Sequence, residues 1–276
     1  MTSSSVKMKF SEIGDVEYKA ASTREELEQA YALFYREYLQ RGFILPKYYK
    51  SELRITLHHA LPGTITFIVL KDKEVVATLT TIPDSPLLLP MDMGYQEEAD
   101  RLREGGRKIS ETGYLAIKTG LFERGMFSMF NFKKLEFMLH LFKLAFQYSY
   151  YHAKFDDMCI VTNPQYMIFN FLPFEAIGKV KYYGYDRVAI KKKAAVAKRL
   201  DFQKVEGVGA KRIALRKIFL ENRVPAEVFE NKYCFTPEDR RYFFVEKSDV
   251  FKTANKKHKK CLRAAYGLKE GEVEYL

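Results

Sequence analysis

The sequence has little of what builds a metal site or a membrane span. Its three cysteines, Cys159, Cys234 and Cys261, lie too far apart for a zinc knuckle. None of the five histidines falls four residues from another, so no helix face offers a ligand pair. His58 and His59 are adjacent and diverge on either a helix or a strand. Metal chemistry is therefore not expected, and Cys159, inside an apolar run, reads as a buried structural thiol. The longest apolar stretch, 135–151, is interrupted by Glu136, His140, Lys143 and Gln147, groups that lipid would leave unsatisfied. No transmembrane helix is expected. The first residues, Met-Thr-Ser-Ser-Ser-Val-Lys-Met, lack the charged-then-apolar layout of a secretion signal, which points to the cytoplasm. Tryptophan is absent, and the 15% aromatic content comes from 22 Phe and 19 Tyr.

What is present is enough for one sizeable core and an appended subdomain: 276 residues, 47% of them hydrophobic. The net charge of +11 calls for an acidic partner, whether nucleic acid, anionic lipid or acidic protein. The excess is concentrated late, in Lys191-Lys192-Lys193, Lys211-Arg212, Arg216-Lys217 and the cluster over 256–260. Charge alone does not choose among these partners, and a solvated surface with basic tails is the plain alternative.

Along the chain, 16–20 reads as a strand. Ser22-Thr23 with Glu26 has the spacing of a capping box. A helix over 24–40 follows, with Leu27, Ala30, Tyr31, Phe34 and Tyr38 on one stripe and Gly42 as its stop. The β-branched runs 64–70 and 75–82, joined by Lys71-Asp-Lys-Glu74, predict a hairpin. A Pro-punctuated loop over 83–90 leads to a polar helix over 95–104 that ends at Gly105-Gly106. Next come a strand over 109–117, a long apolar helix over 132–151 and a doubly buried strand over 158–162. Asn163-Pro164 opens a helix through about 172, and a strand through about 188 completes the unit. Beyond Lys193 the pattern reads as mainly helical. The expected division is an acyltransferase-like domain over 8–193 and a mostly helical extension over 194–276.

That element order resembles the GNAT acyltransferase plan: an α/β fold with a central mixed, twisted sheet flanked by helices. Phe174-Glu-Ala-Ile-Gly178 resembles the Gly-Phe-Glu-x-x-Gly ending of the superfamily, with Pro173 in place of the glycine. A closer resemblance is to the N-acyl amino acid synthase family, which is related to the acyl-homoserine lactone, or autoinducer, synthases. It is carried by the loop Ile82-Pro-Asp-Ser-Pro-Leu-Leu-Leu-Pro90, the acidic helix after it, Glu111 on a strand ending Leu115-Ala-Ile117, and Asn163-Pro164. It covers roughly residues 17–187. The function it implies is transfer of a fatty acyl group from an acyl-carrier-protein thioester to the amine of an amino acid or similar small amine.

GNAT enzymes that use coenzyme A normally place a Gln/Arg-x-x-Gly-x-Gly/Ala loop before the long helix, where backbone N–H groups hold the pyrophosphate. Here the stretch is Thr119-Gly-Leu-Phe-Glu-Arg-Gly-Met-Phe-Ser-Met-Phe-Asn131, with its two glycines isolated among bulky apolar residues. Such a loop suits an acyl chain or the singly phosphorylated pantetheine arm of a carrier protein better than a diphosphate. No tightly bound cofactor is expected. Carrier proteins are acidic, so the basic excess gains a partner, with electrostatic steering as its expected role. Nucleic acid is not expected, because the late lysines carry no recognised binding motif; peripheral contact with an anionic membrane is a further use for the charge.

The chemistry needs a base for the amine, and the resemblance assigns it to Glu111. Backbone N–H groups of Leu115, Ala116 and Ile117 would hold the oxyanion. The tyrosine that many relatives use to protonate the leaving thiolate is Phe169 here. Tyr166, one turn earlier, is its possible substitute, though a thiolate departs with little help. The arginine that the family tends to carry three residues after the glutamate is Tyr114. Arg36, with Phe34 and Tyr38 on the first helix, is then the candidate for an acceptor carboxylate. Phe127 and Phe130 are candidates for an acyl tunnel, and Asn163 completes the substrate-binding set. The competing readings are a coenzyme-A-dependent acetyltransferase with a degenerate phosphate loop, and an inactive basic binding module on the same scaffold.

Overall fold

In a computed structural model of the chain, described over residues 5–10, 13–122, 132–165, 173–183, 193–205 and 217–271, one mixed sheet organises the molecule. The strands are β1 (Val6–Phe10), β2 (Gly14–Ala20), β3 (Ile65–Lys71), β4 (Glu74–Pro83), β5 (Ile109–Ile117), β6 (Asp157–Thr162), β7 (Glu175–Ala176), β8 (Lys181–Tyr183) and β9 (Lys193–Asp201). Their order is β1-β2-β3-β4-β5-β6-β9-β7, with β8 pairing β9. Every described pairing is antiparallel except β5 with β6.

Local chemistry accounts for most of the elements. Helix α1 spans Arg24–Gln40, as its stripe predicts, and both capping-box bonds form: Thr23 Oγ1 accepts the Glu26 N–H at 3.1 Å, and Glu26 Oε2 accepts the Thr23 N–H at 3.3 Å. Gly42, at φ +66°, turns the chain away where a β-carbon would be strained. The predicted hairpin closes through Asp72 and Lys73, both at positive φ, so Lys71 pairs directly with Glu74.

The core has two halves. Ile65, Phe67 and Val69 of β3 face helix α3 (Phe132–Gln147), whose Phe137, Leu141, Phe142 and Phe146 are fully buried. Ile68 of β3 and Ile109 of β5 face the other way, toward α1 and α2 (Asp92–Glu104). This alternation is what period-two burial requires of a sheet covered on both sides.

Several elements depart from expectation. β1 was not foreseen, and α2 starts at Asp92 with a kink at Tyr95. The long helix is regular only to Gln147 and ends in a wide turn, Tyr148–His152. The stretch after Lys193 begins as a strand, β9, antiparallel to the whole of β6. Its alanines favour helix, but the free edge of β6 offers a full ladder of hydrogen bonds, and pairing overrides propensity. The helical reading applies from Phe202 onward, in short pieces that end with the helix Lys256–Ala265. These pieces pack on both halves of the core, Phe219 and Phe229 in one, Phe243, Phe244, Phe251 and Leu262 in the other. No described helix is long and apolar enough to cross a membrane. Among the described residues no cluster of metal-ligating side chains occurs.

Candidate active site where two strands part

The parallel ladder between β5 and β6 is short: Ile109 pairs with Asp157, Ser110 with Met158, Glu111 with Cys159, and there it stops. Beyond it β5 stays with β4 as far as Ile117, while β6 stays with β9 as far as Thr162. The strands therefore part just past Glu111, and among the described residues the β6-facing backbone of 112–117 has no strand partner. The root of the fork is pinned. Arg107 grips Asp157 through Nε and Nη2 and donates to Asp201 Oδ1 at 2.9 Å, and Asp157 is fully buried. Burial pushes the Asp157 carboxyl up, against the pull of Arg107 and Arg199.

A β-bulge re-aims the side chains at the fork. Thr80 pairs with Gly113 but Thr78 with Ala116, so Tyr114 and Leu115 together oppose Leu79. Tyr114 takes a left-handed φ of +56°, a conformation that costs a tyrosine roughly 1–3 kcal/mol and tends to persist at functional sites. In a regular strand residues 111 and 114 would face opposite sides. The extra residue flips the alternation, so Tyr114 packs on the α1 side with Ile109 and Ala116 while Leu115 packs on the α3 side.

Glu111 is 6% exposed and accepts one short hydrogen bond, 2.6 Å from the Met91 N–H. Burial pushes its carboxyl up to about 8, a shift that the Met91 N–H opposes and the charge of Asp92 adds to. The loop that delivers Met91 is rigidly held. Arg103 donates to Asp84 through Nε and Nη2, to Asp92 through Nη1 and Nη2 and to Asp100 through Nη1, while Asp92 Oδ2 accepts the Leu89 N–H at 2.6 Å. Of the three oxyanion candidates, Ile117 is the best oriented. The Lys118 N–H donates to Val76 O, so by strand alternation the Ile117 N–H points away from β4 into the gap and the Ala116 N–H points toward β4. Leu115 is the second bulge residue.

Across the fork lies an aromatic cluster. The ring of Tyr114 stands 5.0 Å from Phe34 and 5.2 Å from His59, and Phe34 contacts Tyr38 at 4.2 Å. Tyr114 Oη lies 3.4 Å from Thr56 Oγ1, and the Thr56 N–H donates to His59 Nδ1 at 3.0 Å. Burial first, then the charges of His58 and Arg54, depress His59 to about 3, so it is neutral.

Phe34, Tyr38 and Tyr114 thus come together, with Glu111 on the same face of β5 as Tyr114. Arg36 does not join them. It is exposed, because residues two apart lie on different helix faces. Asn163 sits half-buried at the end of β6, where its Oδ1 accepts the Gln165 N–H at 2.9 Å and closes a turn. Phe127, Phe130, Tyr166 and Phe169 lie outside the described residues, as does most of the 119–131 loop.

Two site residues were missed by sequence reasoning. Glu37, 3% exposed, accepts the Thr119 N–H at 2.7 Å and the Thr119 hydroxyl at 2.9 Å, fixing the point where the loop leaves β5. Its signal was a carboxylate within the apolar stripe of α1, between Phe34 and Tyr38. Arg54 is the second; its signal was a lone arginine between two buried apolar residues, Leu53 and Ile55. Gly178, from the superfamily-like ending, has a plain packing role: a β-carbon there would lie 2.7 Å from the Tyr95 ring.

With this geometry in hand, likeness to known proteins is informative. A family model described as "N-acyl amino acid synthase FeeM" matches residues 29–191, more than half of the chain. Among solved structures, FeeM, an N-acyl amino acid synthase from uncultured soil microbes, superposes with a TM-score of 0.55 at 22% identity, covering 74% of this chain and 94% of that one. The acyl-homoserine lactone (AHL) synthase LasI superposes with a TM-score of 0.50 at 16% identity, covering 80% of this chain and 98% of that one. The fold is GNAT-like, as these likenesses show. Comparison with curated proteins finds no match.

Proposed function

The chain belongs to the FeeM family of N-acyl amino acid synthases, and on that premise we propose that it transfers a long-chain fatty acyl group from an acyl-carrier-protein thioester to the amine of an amino acid or similar small amine. The observation that carries this reading is the fork itself: a buried carboxyl with a raised pKa at the point where β5 and β6 separate, beside backbone donors released from the ladder. A thioester arm entering the gap puts its carbonyl beside the Ile117 N–H, where oxyanion charge gains most from a fixed donor. The acceptor approaches from the Phe34–Tyr114 side. Its ammonium gives a proton to ionised Glu111, directly or through one water; the free amine attacks, the C–N bond forms, and the C–S bond breaks to release a thiolate that takes up the second proton, the one the acylated nitrogen sheds on becoming an amide.

Glu111 suits this task because a carboxyl titrating near 8 is a stronger base than an exposed one, and its affinity for a proton approaches that of the amine. Support for a carrier-protein donor comes from the chain itself. The loop ahead of α3 carries Met126, Phe127, Met129 and Phe130 where a diphosphate cradle needs small residues, and the net charge of +11 complements an acidic protein. The phosphopantetheine arm is then a substrate tether with no resident cofactor behind it.

The test is N-acylation of an amino acid panel, read by mass spectrometry, with the same acyl group offered on carrier protein and on coenzyme A. Faster transfer from carrier protein is expected. Equal rates from both donors would remove the donor assignment, and no N-acylated product from either would remove the activity.

A further inference from the structure

Arg54 is a cation built into the site with no carboxylate among the described residues to meet it. Its guanidinium carbon lies 4.9 Å from the ring centre of Phe34, 5.1 Å from that of Tyr38 and 6.0 Å from that of Tyr49. One arm, Nη1, donates to the Tyr49 hydroxyl at 2.6 Å. Nε is buried and has no partner among the described residues, and no described carboxylate reaches Arg54 within ion-pair distance. Arg103 and Arg107 are answered by carboxylates, Arg103 by Asp84, Asp92 and Asp100, Arg107 by Asp157 and Asp201, whereas Arg240, whose Nε is also unpaired, donates to Phe235 O and lies over the Tyr266 ring far from Glu111 in sequence. A buried donor left unpaired, on a cation without a counter-charge, costs stability that the aromatic rings repay only in part.

The position of this cation relates it to the chemistry. Arg54 and Tyr114 share Phe34 as a neighbour, and Thr56, two residues along the same segment, meets the Tyr114 hydroxyl. Burial raises the pKa of that hydroxyl; the charge of Glu111 adds to the rise and the charge of Arg54 opposes it, so both groups are near enough to act on the phenol. An acceptor lodged against Tyr114 would meet Glu111 on the same face of β5 and Arg54 beside the shared Phe34 ring.

We infer that Arg54 is the specificity-determining residue for the acceptor, reading the carboxylate of an α-amino acid through its unpaired Nε edge while Glu111 receives the amine. This rests on the proposed N-acyltransferase reading. A guanidinium offers parallel N–H donors that match a carboxylate, and stacking on Phe34 and Tyr38 fixes its plane before the acceptor arrives. An amine lacking the carboxylate would leave that edge unpaired and bind worse.

The test compares each amino acid with its decarboxylated counterpart, phenylalanine with phenethylamine and leucine with isoamylamine, in the full-length protein and in Arg54→Gln and Arg54→Lys. Loss of a charge-assisted bond from a buried site corresponds to about 10- to 100-fold. The wild type should favour the amino acids by that factor. Arg54→Gln should raise their KM by a similar factor while the KM for the amines and kcat stay within about twofold. Arg54→Lys should recover only part of the loss. Calorimetric binding of free phenylalanine to wild type and Arg54→Gln provides a readout without turnover. Binding that Arg54→Gln removes upholds the inference even if no acyl transfer occurs. Transfer with equal efficiency to amino acids and amines overturns it while leaving the acyltransferase reading intact, as does equal binding to wild type and variant. If Arg54→Gln misfolds by circular dichroism, the wild-type discrimination between acid and amine decides alone.

Discussion

Replacing Glu111 with glutamine separates the site's chemistry from its stability, and the two should move in opposite directions. Folding carries the Glu111 carboxyl from an ordinary 4.5 to about 8, with burial as the main cause. At 1.36 kcal/mol per pH unit the difference is at most roughly 5 kcal/mol of resistance to ionisation in the folded chain. The sign follows from proton counting. Between pH 4.5 and 8 the folded state keeps the proton while the unfolded state has released it, so stability falls as pH rises through that window. Below 4.5 both states are protonated, and above 8 both are ionised, so the difference levels off. Glutamine is neutral throughout and still offers an oxygen to the Met91 N–H. Urea denaturation at a series of pH values should therefore find wild type and Glu111→Gln close near pH 4.5, with the variant more stable by several kcal/mol near pH 8.5. N-acylation should be lost in the variant at every pH, whereas wild-type turnover should rise on an acid limb centred near 8. A stability difference that stays flat from pH 5 to 9 would refute the raised pKa, and undiminished turnover by the variant would strip Glu111 of its role.

Other substitutions test the frame around the site. Gly178→Ala places a β-carbon 2.7 Å from the ring of fully buried Tyr95, and the overpacking should cost about 1–3 kcal/mol, measurable as a lower urea midpoint. Gln147→Leu removes a buried amide that donates to Phe219 O and Asn222 O and accepts the Val224 N–H. With three backbone groups stranded, a loss of roughly 3 kcal/mol is expected, and hydrogen exchange should accelerate first around 217–224. Thr23→Ala deletes one half of the α1 capping box and should cost about 1 kcal/mol with little effect on turnover. A cost below a few tenths of a kcal/mol in any of the three would show that the contact does not carry its assigned load.

How much of this was legible in the sequence depends on the range of the interactions involved. Helix α1, the hairpin and β5 were readable to within a residue or two because their determinants are local: a capping box, a two-residue turn, period-two burial. β9 was not, because its Ala-rich stretch becomes a strand only once β6 offers an open edge. The face of Glu111 followed from alternation, but Tyr114 shares it only through a bulge that no local pattern marks. Arg36 was nominated by nearness in sequence to Phe34 and Tyr38, a criterion that helical geometry defeats within two residues. Arg54 came from a stretch without regular structure, Leu53-Arg54-Ile55, whose placement depends on what packs behind it.

What packs behind it is the last part of the chain. Lys50 donates to Val245 O, Ser51 to Lys247 O, and the Tyr266 hydroxyl to Ala60 O at 2.6 Å, so the segment 50–60 is held along its length by residues far away in sequence. Phe243 closes on Tyr31 with ring centres 5.6 Å apart, beneath the His59 ring that Tyr31 meets at 4.6 Å. Arg54 has no helix or strand to fix it, Thr56 and His59 have only the single 3-10 turn Leu57–Ala60 that Thr56 caps, and these contacts supply the support that longer regular structure would otherwise give. Glu111 and the strand donors are thus positioned by the sheet, through the fork and the bulge, whereas Arg54, Thr56 and His59 are positioned by C-terminal residues clamped over a short segment. On the proposed reading, selectivity for the acceptor can then vary through the clamp and the segment beneath it without disturbing the strands that place Glu111.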